Sequence, residues 1–178
     1  MQFTYNANSE PVEQALESFQ NSLADNAPAL KLIADDFREM IREQFASEGA
    51  AGGTPWAELA PSTLRARRGR SGILNSTGAL LASLTDADSA GHVEETDGQL
   101  LSIGSSLPYA MFHQTGAGRG FGLSSMLSGR GLGRGLPMRP IIVLSDDRSA
   151  AWVGMVGQSL SEKALVLGGN ELGGLKKG

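Results

Sequence analysis

The apolar positions of the chain fall into short periodic runs separated by glycine, proline and polar stretches. Phe3 and Tyr5 alternate with polar neighbours in "MQFTY", which predicts a short first strand. Asn8 or Ser9 is placed to cap a helix carrying Val12, Leu16, Phe19 and Leu23 on one face, with Pro11 tolerated in its first turn. After Asn26-Ala27-Pro28 a longer helix is predicted to about Glu48. Its apolar stripe is Leu30, Ile33, Phe37, Met40, Ile41 and Phe45, and Asp35, Asp36, Glu39 and Glu43 form its acidic face.

A loop from Gly49, with a short helix after Pro61, leads to a helix that Thr77 can cap and that turns Leu80, Leu81 and Leu84 inward. Residues 92–95 and 100–105 read as two strands of a hairpin, because an Asp-Gly step (Asp97-Gly98) lies between alternating residues. Pro108 starts a short helix with Tyr109, Phe112 and His113, and Gly116 is placed to end it. Residues 141–144, "IIVL", read as a buried strand. Ser145 or Asp146 then caps a last helix with Trp152, Val156 and Leu160 on its apolar side. These elements make one α+β domain over residues 1–167, followed by a flexible tail over 168–178. A small, mostly antiparallel sheet packs with a long N-terminal helix and a C-terminal helix.

Composition changes the picture at one place. Residues 116–136 hold eight glycines, far above average usage, so this segment reads as a flexible Gly/Arg-rich arm that cannot repay its ordering entropy by local burial. No run of apolar residues approaches the roughly 20 that a membrane helix needs, and the N-terminal residues have no signal-peptide pattern. A cytosolic product without a membrane segment is expected.

The net charge of −4 conceals segregation. Residues 1–50 carry nine acids against three bases, and 51–80 one acid against four bases. Residues 81–97 carry five acids and no base, and 98–145 four arginines and no acid. Sorted charge of this kind suits self-association through unlike faces, or a polyanion on one face. The arm's Arg119, Arg130 and Arg134, and the cluster Arg65, Arg67 and Arg68, are the candidate cations. The arm's cations suit a nucleic acid's phosphates or an acidic partner surface, and the Arg65 cluster is either a solvated loop or the complement of a neighbour's acidic face such as Asp35, Asp36, Glu39 and Glu43.

Catalytic patterns are sparse. The chain has no cysteine, which excludes thiolate chemistry and cysteine-held zinc. It has no Gly-x-Ser-x-Gly, and its glycine-rich run contains no lysine and so is no P-loop. His113 has few partners for a metal site or a triad, and it reads as a structural ring in the short helix. No catalytic residue, metal or cofactor is expected, and no enzyme activity.

Four blocks in order carry a resemblance: "GTPWAELAPSTLRARR", "ILNSTGALLASL", "IGSSLPYAMFHQTG" and "PMRPIIVLSDD". Together they resemble the phage virion morphogenesis family, which includes the tail completion protein S of P2-like phages and its counterpart in Mu-like phages. The resemblance implies a structural protein of the virion, at the head–tail neck or tail end, acting in tail completion or head–tail joining.

It further implies subunits assembled in a ring, a hexamer favoured over a dodecamer, with other neck and tail proteins as partners and phage DNA in the channel as a further candidate. The alternative is a nucleic-acid-binding accessory protein of phage assembly. By the same resemblance Trp56 is a packing anchor, and Thr77 and Gly78 belong to the turn that starts the central helix. Tyr109, His113, Gln114 and Gly116 belong to the helix before the arm, and Arg139 and Pro140 lead into the last strand. The Gly/Arg insert after Gly116 departs from the family pattern in its length.

Overall fold

The computed structural model describes residues 25–67, 72–116 and 136–173, with helical positions between Glu13 and Asn21. The frame of the fold is α1, Ala27–Ala46. It begins where Asn26 N donates to Gly98 O at 2.7 Å, and Pro28 sits in its first turn, where a missing N–H costs no helical bond. The 3.6-residue period puts Ile33, Phe37, Met40, Ile41 and Phe45 on one buried side. They pack against Trp56, Ile73, Leu80, Leu84 and Ile141 from later in the chain, so one core serves the whole described body.

A short 3-10 turn at Ala50–Gly52 follows α1, and then α2, Pro61–Ala66. Helix α3, Ala79–Thr85, buries Leu80 and Leu84 against α1. The hairpin comes next: β1, His92–Thr96, pairs antiparallel with β2, Leu101–Ser105, in the register Glu94 opposite Ile103. Its turn is set by Asp97, whose Oδ1 accepts from Gln99 N at 2.9 Å and Leu100 N at 2.8 Å. Those two backbone donors hold the Asp97 carboxyl below its ordinary pKa.

Helix α4, Ala110–Thr115, is followed after the arm by α5, Asp146–Gly173. Ser145 caps α5, its Oγ accepting from Arg148 N at 3.3 Å. The α5 backbone stays helical to Gly173, and so reaches into the segment 168–178 that the sequence marks as a tail. This is an α+β fold, helices around a small antiparallel sheet.

One expected strand is absent. Residues 141–144 pair with no other strand, and the sheet among the described residues has two strands. Only Ile141 is fully buried, while Ile142 and Leu144 are 40% and 46% exposed. The reason lies in Gln114. Its Oε1 accepts from Ile141 N at 2.8 Å and Ile142 N at 3.0 Å, and its Nε2 donates to Ile142 O at 2.8 Å. A side-chain amide thus meets the backbone groups that a neighbouring strand would otherwise have to meet. The expected first strand at residues 3–5 lies outside the described residues. Leu16, placed by its spacing on an apolar face, is 55% exposed.

Candidate functional site

The residues of the four sequence blocks converge on one junction, where the loop after α1, helix α4 and residues 136–142 meet. Trp56 is buried at 5% exposure, edge-on to Phe45 with ring centroids 5.2 Å apart. Its Nε1 donates to Pro140 O at 2.8 Å, and Gln44 Nε2 donates to the same oxygen at 2.9 Å. Gln44 Oε1 in turn accepts from Gly52 N at 2.7 Å, which ties the loop to α1. Only glycine fits at position 49: its φ is +95°, and an added Cβ would lie 2.5 Å from Trp56 Cδ1.

Arg139 joins the same junction from the other side. Its backbone N donates to His113 O at 2.8 Å, its Nε to Ala57 O at 2.9 Å and an Nη to Glu58 O at 3.1 Å. The side chain is buried, and both burial and the nearby Arg67 charge lower its pKa. Gly116 ends α4 with φ +74°, and a Cβ there would meet Met138 at 3.3 Å and Leu136 O at 3.4 Å. The two ends of the arm, Gly116 and Leu136, therefore lie side by side. The arm between them, with Arg119, Arg130 and Arg134, lies outside the described residues, as does Arg68.

Burial lowers the His113 pKa from its ordinary value, with a further push from the Arg139 charge. Its Nδ1 is buried without a hydrogen-bond partner among the described residues, while Tyr109 packs edge-on at 6.3 Å between centroids. No cluster of three or more potential metal ligands occurs among the described residues. A cavity of about 550 Å³ opens beside the ring, lined by Arg67, Thr77, Tyr109 and Arg139 among others. Arg67 is held there by donation to Gly72 O at 2.8 Å, and Arg65 is exposed on α2. Thr77 Oγ1 accepts from Ala79 N at 3.3 Å, one position before the cap residue Gly78.

The acidic face of α1 is divided in space. Asp36 and Glu43 turn toward α5, where Arg148 meets Asp36 at 3.5 Å and Glu43 at 3.1 Å. Trp152 Nε1 also donates to Asp36 at 2.6 Å. Asp35 and Glu39 face outward, paired along the helix with Arg38 at 2.7 Å and Arg42 at 3.1 Å. Arg38 also reaches Glu94 on β1. Burial raises the Glu94 pKa, but hydrogen bonds from His92 and Arg38 outweigh it and leave the carboxyl below its ordinary value.

Two working side chains were not candidates by sequence: Gln44 and Arg148. Gln44 carried a usable signal, a polar residue on the apolar side of α1. Arg148 carried none, since its partners are more than a hundred residues away.

A family model for the phage virion morphogenesis family matches residues 7–161, most of the chain. The chain belongs to the phage virion morphogenesis family. No curated protein and no solved structure gives a significant match. Membership gives the chain a structural or assembly role in the phage virion. No described helix is long and apolar enough to cross a membrane.

Proposed function

We propose that the chain is a structural subunit of the tailed-phage neck that acts in tail completion or head–tail joining by assembling into a ring. The observation that carries this reading is the junction itself. Trp56, Gln114 and Arg139, side chains that could do chemistry, are engaged in holding residues 136–142 against the body, and the half-buried His113 ring packs edge-on to Tyr109. They pin both ends of the Gly/Arg arm at one point of the surface. Such an arrangement suits a rigid body that presents an arm to its neighbours. The outward acids Asp35 and Glu39 and the exposed Arg65 supply two unlike patches, as a head-to-tail ring contact requires.

Deletion of residues 118–134 tests the reading. The variant should keep the wild-type helix content by circular dichroism, because the junction lies outside the deletion. It should lose the higher-mass species that the wild type shows in native mass spectrometry, and fail to complement head–tail joining. A variant that joins heads to tails as well as the wild type would refute a role for the arm. A wild type that stays monomeric at all concentrations and in joined particles would refute the ring.

A further inference from the structure

The two-stranded sheet has an open edge. The outer edge of β2 meets no other strand among the described residues, and its remaining backbone groups have no main-chain partner there. Along it runs a groove of about 510 Å³, floored by Ile33 and Phe37 of α1 and walled on the far side by Ile142, Leu144 and Trp152. Leu100, at the groove's end, is 65% exposed. An unpaired strand edge beside an apolar trough is the geometry of strand addition: the main chain bonds the edge and alternate side chains fill the trough.

We infer that residues 2–6 of the same chain add to β2 as a third strand of the sheet. This segment, Gln-Phe-Thr-Tyr-Asn, is uncharged and alternates Phe3 and Tyr5 with polar residues, so one face supplies two aromatic rings to the groove. Its length matches β2, which spans Leu101–Ser105. The tether is also right. The chain enters the described body at Asn26, bonded to Gly98 O in the hairpin turn, beside Gln99 and Leu100 at one end of the groove. The apolar spacing of residues 9–23 predicts a helix, which would carry the chain roughly 22 Å from that anchor, and the eight residues ahead of it would reach back up to about 28 Å. A tethered strand sees its own groove at an effective concentration of the order of mM, which favours the same chain over a neighbour.

The faces of the sheet set the test. Ser105 Oγ bonds Ser83 Oγ of α3 at 2.8 Å, so Leu101, Ile103 and Ser105 face the helices, and Ser102 and Gly104 face outward. With Phe3 and Tyr5 in the groove, Thr4 joins Ser102 and Gly104 on the outer face. The chain has no cysteine, so Thr4→Cys can be combined with Ser102→Cys, or with Gly104→Cys, without competing thiols. A Cβ at Gly104 meets nothing within 4 Å.

Mild oxidation of the dilute full-length protein should give a monomeric disulfide in one of the two pairs. A ladder of linked multimers would assign the groove to a neighbouring copy and overturn the same-chain strand. Hydrogen exchange is the second arm. Removing residues 1–7, or replacing Phe3→Asp with Tyr5→Asp, should speed exchange of the β2 amides about tenfold or more while helix content stays unchanged. Unchanged β2 exchange in the double substitution, with no disulfide in either pair, would overturn the proposal.

Discussion

The carbonyl of Pro140 offers a sharp test of the junction, because two unrelated side chains donate to it. Trp56→Phe keeps a ring against Phe45 but removes one donor, and should cost about 1–2 kcal/mol from the lost bond and the smaller ring. Gln44→Met keeps the length of the side chain but removes the other donor and the acceptor for Gly52 N, at a cost of about 2 kcal/mol. In either single variant the Pro140 oxygen keeps one partner. In the double variant it has neither, and a desolvated acceptor without a bond costs a further ~1–3 kcal/mol.

The double-mutant cycle should therefore be super-additive by at least about 1 kcal/mol. Urea unfolding followed by far-ultraviolet circular dichroism is the suitable assay, since Trp56→Phe removes one of the two tryptophans and would distort fluorescence. Additivity within about 0.5 kcal/mol, at unchanged denaturant slope, would refute the shared-acceptor account.

The junction and the docking of α5 give further expectations. Because the folded His113 pKa lies below 6.5, the unfolded chain binds more protons below that pH, and the ring's contribution is lost as pH falls from about 6.5 toward the folded value. His113→Gln should therefore gain in melting temperature relative to the wild type between about pH 7.5 and pH 5, and a constant difference would refute the burial argument. Arg139→Lys keeps the charge but cannot span the carbonyls of Ala57 and Glu58 as a fork, and should cost about 1.5–3 kcal/mol in urea unfolding. Arg148→Met should cost about 1 kcal/mol at low salt and less near about 1 M salt, where its partly exposed pairs with Asp36 and Glu43 are screened. A salt-independent loss in the same unfolding assay would show that packing, not charge, docks α5.

What the sequence determined by itself is the local and periodic content. The stripe from Ile33 to Phe45 predicts the long helix and its buried side, because a 3.6-residue repeat survives whatever packs on it. The Asp97-Gly98 step predicts the hairpin, because that turn chemistry is complete within four residues. The blocks around Trp56, Tyr109 and Arg139 pointed to the family, and they meet at one junction in space.

Tertiary structure alone decided the rest. "IIVL" has the composition of a buried strand, yet Gln114, 27 and 28 residues earlier in the chain, takes its backbone bonds, and no local pattern records that partner. The acids of α1 look like one charged face in sequence. Asp36 and Glu43 are drawn to Arg148 and Trp152, while Asp35 and Glu39 stay outward, since the packing angle of α5 selects which side of a helix is shared. Which polar groups are partnered is set by distances across the fold, and a sequence read along its length does not contain them.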